Sequence, residues 1–503
     1  MAQNDELFRF QDLLKPDPKF RGNSDIKAAQ DELRNAPFVW WPVKTYMDQN
    51  GVGPEQYAVM GCEMAEDPDE ETTLLDIDED HEEQQEEPDL VPVLLNTNSP
   101  WSAFLCGSQG SGKSHALSCI LEGCLMNDPD IGRNSAPLAG IVFHYDRAQG
   151  GDVCEAAYLC GKIRTKVLVS ASHIGPLTER YEAIAQRCGA KITVEALELH
   201  SSHLNTARIK LLMAIGKRGE TPLYMSVVKR ILREMAINKR GVNDFNYRDF
   251  LAGLQNAGLS EMQSGPLEQR LDLLEAFVDI KPRDKTVKIK GKPTVLATKR
   301  NKNRTKARVD LFSSDPGSLT IVDLTDPHVD EESVCALFDI CLAIFISQTT
   351  CGKIIALDEA HNYMGEDNAA TANFTERLLK SIREQRHQGA RVVIATQEPS
   401  INTRLLDLCN VTMVHRCASQ AWYDILKQHL AALKGEDHQR VFEKIVRLKT
   451  GECLLFCPTA AVGIDERKGK IKRMDTDYCK FLTRRRITAD GGKSKLADGS
   501  HVE

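Results

Sequence analysis

Residues 101–125 read WSAFLCGSQGSGKSHALSCILEGCL, and three kinds of pattern follow one another there without a gap. Ala103 to Cys106 is a short apolar run closed by Gly107, as expected of a buried strand. Ala116, Leu117, Ile120, Leu121, Cys124 and Leu125 recur at helical spacing, which predicts a helix with a buried stripe. Between the two lie Gly107, Ser108, Gln109, Gly110, Ser111, Gly112, Lys113 and Ser114, the G-x-x-x-x-G-K-[ST] pattern in the strand-to-helix setting it requires. Glycines let backbone N–H groups surround anionic oxygens, and the helix N-terminus adds partial positive charge. The segment reads as a phosphate cradle, with Lys113 reaching the β and γ phosphates of a nucleotide and the Ser114 hydroxyl placed on Mg2+.

Outward from this unit, apolar runs alternate with helical patterns: Gly140 to His144, Lys166 to Val169, Ile192 to Leu199, Leu319 to Asp323, Ile354 to Leu357, Val392 to Ala395 and Val411 to Val414. Runs such as Ile354-Ile355-Ala356-Leu357 do not alternate with polar residues, which predicts parallel strands covered on both faces and an α/β layer fold. The 354–357 run delivers Asp358 and Glu359 to its C-terminal end, where ligands of open α/β sheets collect. Asp358 suits the organisation of Mg2+, and Glu359 suits polarisation of an attacking water, which needs a carboxylate near the γ-phosphate yet off the metal. The 392–395 strand ends at Thr396-Gln397, with Pro399 stopping it, and Gln397 fits a sensor of the γ-phosphate. Before that strand, a helix expected over Thr375 to Gln388 sets Arg383 and Arg386 one turn apart and ends at Gly389, a residue suited to a helix C-cap.

The 503 residues carry 64 Lys and Arg against 72 Asp and Glu, and the acidity is local. Residues 63–89 hold 15 acids and no Lys or Arg; so little apolar surface cannot offset ordering entropy, and the stretch reads as a solvated linker or a mimic of nucleic-acid charge. Lys281 to Arg308 has the opposite bias, 12 Lys or Arg against Asp284 alone, with KIKGKPTV resembling a hairpin. The organisation expected is an N-terminal segment 1–64, an acidic linker 65–90, a core in two parts at 91–200 and 311–465, a helical insertion at 201–280, a basic segment at 281–310 and a basic tail at 466–503. Phe38, Trp40 and Trp41 give the first segment enough aromatic surface to want a protein partner or a place on the main domain. The longest apolar stretch, Cys335 to Ile346, is interrupted by Asp339 and too short for a bilayer span of about 20 residues. The start has no basic and apolar leader, so the expectation is an intracellular protein of nucleus or cytoplasm, without a membrane segment. The 15 cysteines lie mostly in apolar runs and read as reduced, buried thiols. Cys453 and Cys457 lack the further ligands of a zinc set.

The motif series AFLCGSQGSGKSH, LTIVDLT, IIALDEAHNYM, REQRHQG, VVIATQEPS, VTMVHR and LKTGECLLF resembles the HerA/FtsK superfamily of P-loop ATPases over about residues 91–465, and within it uncharacterised fungal P-loop proteins. The resemblance implies a RecA-like core with a mostly parallel sheet, Mg-ATP as the bound nucleotide and a homo-oligomeric ring, commonly a hexamer, that moves nucleic acid. It gives Glu359 the role of catalytic base beside Lys113, Gln397 that of sensor, and Arg386 that of a finger reaching a neighbour's nucleotide. Where such proteins often have Gly-Arg-Lys before the sensor strand, this chain has Gln385-Arg386-His387 and keeps only the arginine. The DEAH string is also similar to that of superfamily-two helicases, whose next motif is Ser-Ala-Thr; here it is Ala-Thr-Gln. A motor on DNA or another nucleic acid is the leading expectation. An ATP-dependent assembly switch that moves no polymer is the alternative, and a P-loop kinase the third.

Overall fold

The computed structural model describes residues 24–65, 90–147, 153–200, 203–213, 222–238, 245–279, 285–289, 292–296, 312, 315–348, 350–365, 369–399, 401–433, 438–465 and 470–491. Most of the acidic linker, and much of the basic segment, lie outside them. The centre is a run of parallel strands in the order Ile192–Ala196, Arg164–Val169, Ser318–Asp323, Ala139–His144, Lys353–Leu357, Ala390–Thr396, Ser102–Cys106 and Val411–His415. Each coincides with an apolar run of the sequence. The fold is α/β.

The inner strands are apolar because both faces are covered, yet they still alternate between two cores, whereas the edge strand Ile192–Ala196 is only partly buried. Phe104, Cys106, Ile141, Phe143, Ile355 and Leu357 enter one hydrophobic cluster. Ala103, Leu105, Val142, Ile354 and Ala356 enter the other. The helix Lys113–Leu125 lies on the second face and is buried nearly all round, since it is overlaid by Glu155–Gly161 and the strand Tyr57–Glu63. On the first face sit the helices of the insertion, Thr206–Met213, Met225–Asn238, Tyr247–Gln255 and Glu261–Phe277, whose apolar sides join the same cluster. The insertion starts and ends at one point: Leu199 N–H donates to Phe277 O at 2.8 Å, and Asp279 N–H returns to Leu199 O at 2.9 Å. Lys285–Ile289 and Lys292–Leu296 form an antiparallel hairpin within the basic segment.

Beyond Val411–His415 the sheet turns antiparallel, through Glu452–Phe456, Cys479–Thr483, Tyr57–Glu63, Pro92–Asn96 and Phe38–Trp40. Residues from both ends of the chain therefore complete the sheet that carries the glycine loop. Phe38 and Trp40 are buried there, with the Trp40 indole donating to Glu63 Oε2 at 2.7 Å, whereas Trp41 is 40% exposed. Of the three aromatics at 38–41, two are thus taken up by the main domain.

Part of the basic cluster Arg467 to Arg486 is likewise internal. Arg484 Nη1 meets Glu122 Oε2 at 2.7 Å, with Glu122 fully buried on the helix that starts at Lys113, and Arg486 Nη1 meets Glu155 Oε1 at 2.7 Å. The Thr488 N–H and hydroxyl also donate to Glu122 Oε1, at 2.9 and 2.6 Å. Residues 484–491 form a strap across the back of that helix. No helix of the described residues is long and apolar enough to cross a membrane.

Removing one partner of a buried ion pair leaves the other charged and unsolvated, at a cost of about 3 kcal/mol or more. Glu122→Ala should therefore lower the thermal midpoint strongly, and Glu122→Gln, which keeps an acceptor, should lower it less. Equal midpoints for Glu122→Ala and wild type in thermal scans would contradict the strap's role.

Candidate functional site

The loop strand Ser102–Cys106 has Ala390–Thr396 on one side, and Lys353–Leu357 lies next beyond it. Thr396 pairs with Cys106 and Leu357 with Ile394. Parallel pairing at this register puts the glycine loop, Gln397, and Asp358 with Glu359 at one edge of the sheet, its carboxyl edge.

Gly112 caps the helix Lys113–Leu125 at φ 104, and Gly110 sits at φ 72, both left-handed. A Cβ on Gly112 would come within 2.7 Å of Gly451 N, whereas one on Gly110 meets nothing within 4 Å. The loop is braced from the strand on its other side. Ser108 N–H and Oγ both donate to Arg416 O at 2.8 Å, Gly451 N–H donates to Ser111 O at 3.2 Å, and His415 is packed against Gly107. Burial first, and Lys113 second, push His415 down to about 3, so a neutral ring fills the space under the loop. The sequence contained these braces in VTMVHR and LKTGECLLF, but nothing in the spacing told which loop they would touch.

Lys113 is buried, and its Nζ donates to Ser108 O at 3.0 Å. Burial lowers its pKa, against the fields of Glu359 and then Asp358, so the two acids and the lysine act on one another across the site. Ser114 is half-buried in the first turn of the same helix. Asp358 is held by its N–H to Phe143 O at 3.0 Å and by His144 Nδ1 against its Oδ2 at 3.2 Å, while its buried Oδ1 has no hydrogen-bond partner.

Glu359 has φ 47 and ψ 49, a left-handed conformation that costs a non-glycine residue about 1–3 kcal/mol. The strained turn separates the two adjacent carboxylates. Glu359 Oε1 accepts from Gln397 Nε2 at 3.2 Å, and Oε2 lies 3.3 Å from His361 Nδ1. Burial, followed by the neighbouring Asp358 charge, raises the Glu359 pKa above the ordinary glutamate range, while Lys113 and Gln397 oppose the rise. A carboxylate so placed is a stronger base than one in water. Gln397 thus faces Glu359, and His144 and His361, which sequence reading left unassigned, touch the acidic pair. The signal available for His144 was its position at the carboxyl end of a buried strand.

The arginines lie elsewhere. The expected single helix is broken at Glu384 into Ala369–Arg383 and Gln385–Gln388, and Gly389 follows at φ 59 as the C-cap. Arg383 and Arg386 are exposed. Arg386 precedes the seven-residue strand Ala390–Thr396, whereas Gln397 follows it. At about 3.3 Å per residue the strand separates Arg386 from its own glycine loop by some 20 Å.

No protein-family model matches the chain, and no curated protein matches it. Among solved structures it is similar to VirB4 of Thermoanaerobacter pseudethanolicus, at 13% identity over 77% of this chain and 89% of that one, with a TM-score of 0.45. It is also similar to B204, the DNA-packaging ATPase from Sulfolobus Turreted Icosahedral Virus, at 14% identity over 30% of this chain and 64% of that one, with a TM-score of 0.21. Likeness at this level leaves the chemistry to be argued from the site itself.

Both glycine positions carry the left-handed backbone, but only Gly112 is also crowded. Gly110→Ala should cost about 1–2 kcal/mol from backbone strain alone. Gly112→Ala should cost more, because the Gly451 backbone must move, and chemical denaturation of the two variants side by side checks the order. A Gly112→Ala variant as stable as Gly110→Ala would contradict the close packing of loop on brace.

Proposed function

We propose that the chain is a Mg-ATP-dependent P-loop ATPase of the HerA/FtsK type that works as an oligomeric ring on DNA or another nucleic acid. One observation carries the reading: the glycine loop with Lys113 and the strained Asp358-Glu359 turn meet at the same sheet edge and act on one another electrostatically. The residues fit a nucleotide and its cation. Ser111 Oγ and Asp358 Oδ1 are buried without a hydrogen-bond partner, Lys113 donates to Ser108 O, and the space over Gly110 is open.

In this reading the Lys113 ammonium and the N–H groups of Gly107–Ser114, apart from that of Ser108 which the brace occupies, bind the phosphates. The Ser114 hydroxyl and the Asp358 carboxylate would hold Mg2+, which would supply positive charge to offset that of the phosphates. Glu359 accepts a proton from the attacking water. Gln397, by donating to Glu359 Oε1, fixes the direction in which the carboxylate's remaining lone pairs point. Arg386, remote from its own loop, is suited to contribute only to the site of a neighbouring subunit, as a ring would allow. The basic residues 281–308 are the segment for polymer contact.

Glu359→Gln should leave ATP bound and slow its hydrolysis by at least about 100-fold, whereas Lys113→Ala should weaken nucleotide binding itself. Equilibrium binding of a fluorescent ATP analogue alongside steady-state phosphate release separates the two. Equal hydrolysis by Glu359→Gln and wild type would remove the base assignment.

ATP turnover by the purified chain should rise when DNA or RNA is added. That stimulation should fall steeply as salt is raised, because each neutralised phosphate releases counterions. Slow hydrolysis indifferent to both polymers would favour the assembly switch over the motor.

A further inference from the structure

Asp358 is shared with a second cluster, whose other two members, His144 and Cys154, hydrolysis does not use. His144 ends the strand Ala139–His144, Cys154 caps the 3-10 helix Glu155–Gly161, and Asp358 follows the strand Lys353–Leu357. All are at least nine-tenths buried, and one donor atom from each lies within 4.8 Å of the others. His144 Nδ1 is 3.2 Å from Asp358 Oδ2, and Cys154 Sγ is 3.8 Å from that same oxygen. A tetrahedral Zn2+ with bonds of about 2.0–2.3 Å sets its ligand atoms about 3.3–3.6 Å apart. The two distances to Asp358 Oδ2 bracket that range, and the His144 and Cys154 donors lie within 4.8 Å of each other.

The donor set is selective. Thiolate, imidazole and carboxylate together suit Zn2+, whereas Mg2+ takes oxygen ligands and keeps several waters. The trio is also held from behind: Cys154 N–H donates to the Tyr181 hydroxyl at 3.3 Å, and that hydroxyl donates to Asp323 Oδ2 at 2.6 Å. Two buried atoms of the cluster, His144 Nε2 and Asp358 Oδ1, have no hydrogen-bond partner.

We propose that His144, Cys154 and Asp358 form a binding site for a thiophilic divalent cation of the Zn2+ class, with a fourth position left for water. On binding, the Cys154 thiol releases its proton to solvent and ligates as thiolate. Because Asp358 belongs to both sites, an ion held there withdraws this carboxylate from Mg2+ and inhibits hydrolysis. That inhibitory consequence rests on the proposed ATPase; the binding itself does not.

The test uses Co2+ as a spectroscopic stand-in on the full-length, chelator-treated protein without nucleotide. Wild type should take up one Co2+ with a thiolate-to-cobalt charge-transfer band and the intense visible bands of tetrahedral cobalt, and Zn2+ should displace it. Cys154→Ser, nearly isosteric, should abolish the charge-transfer band while keeping the circular dichroism and thermal midpoint of wild type. His144→Asn should weaken Co2+ affinity at least tenfold. Glu359→Gln should lose hydrolysis yet keep the cobalt spectrum, so failure of the ATPase reading and failure of the metal site are told apart. A wild-type protein without the band, or a band that survives Cys154→Ser and so belongs to another of the 15 cysteines, would leave the trio as a hydrogen-bonded cluster and overturn the proposal.

Discussion

The site depends on the register of three adjacent parallel strands. Cys106 and Thr396 pair at the ends of their strands, and Lys353–Leu357 ends two residues lower, opposite Ile394, so a glycine loop, an amide and the two carboxylates that follow Leu357 reach one edge from distant parts of the chain. A one-residue slip of any of them would turn its side chains to the opposite face. The slip is opposed by two separate cores, since Phe104 and Leu105, or Ile355 and Ala356, would have to exchange environments.

That register leaves this edge free to hold local strain. Glu359 sits in a left-handed turn between a buried strand and a 3-10 helix, and Gly112 leaves no space for a side chain against Gly451. The surrounding packing over-determines both. Support reaches the loop from behind as well, through the strap of residues 484–491 on Glu122. The last described residues are thereby coupled to the helix whose first residue is Lys113.

The inner parallel strands were legible because burial on both faces makes them apolar, and the glycine loop because its spacing and its setting agree. Gln397 and the Asp358-Glu359 pair could be placed from the strands that deliver them. Other features were not legible. The antiparallel extension pairs Tyr57–Glu63 with Cys479–Thr483, and no local pattern announces a pairing between opposite ends of a chain. The break at Glu384 in the arginine helix has no glycine or proline to mark it. His144 closes an apolar run, Cys154 and His361 lie in no pattern that singles them out, and only the fold brings the three to the acids.

The central claim is that the glycine loop and the acidic turn form a single nucleotide site. A crystal structure with a non-hydrolysable ATP analogue and Mn2+, the metal located by its anomalous scattering, tests it most directly. The account predicts phosphates enclosed by Gly107–Ser114, manganese beside the Ser114 hydroxyl and Asp358, and the terminal phosphate facing Glu359. A nucleotide seated elsewhere, or in the loop with both acids turned from it, would contradict the account.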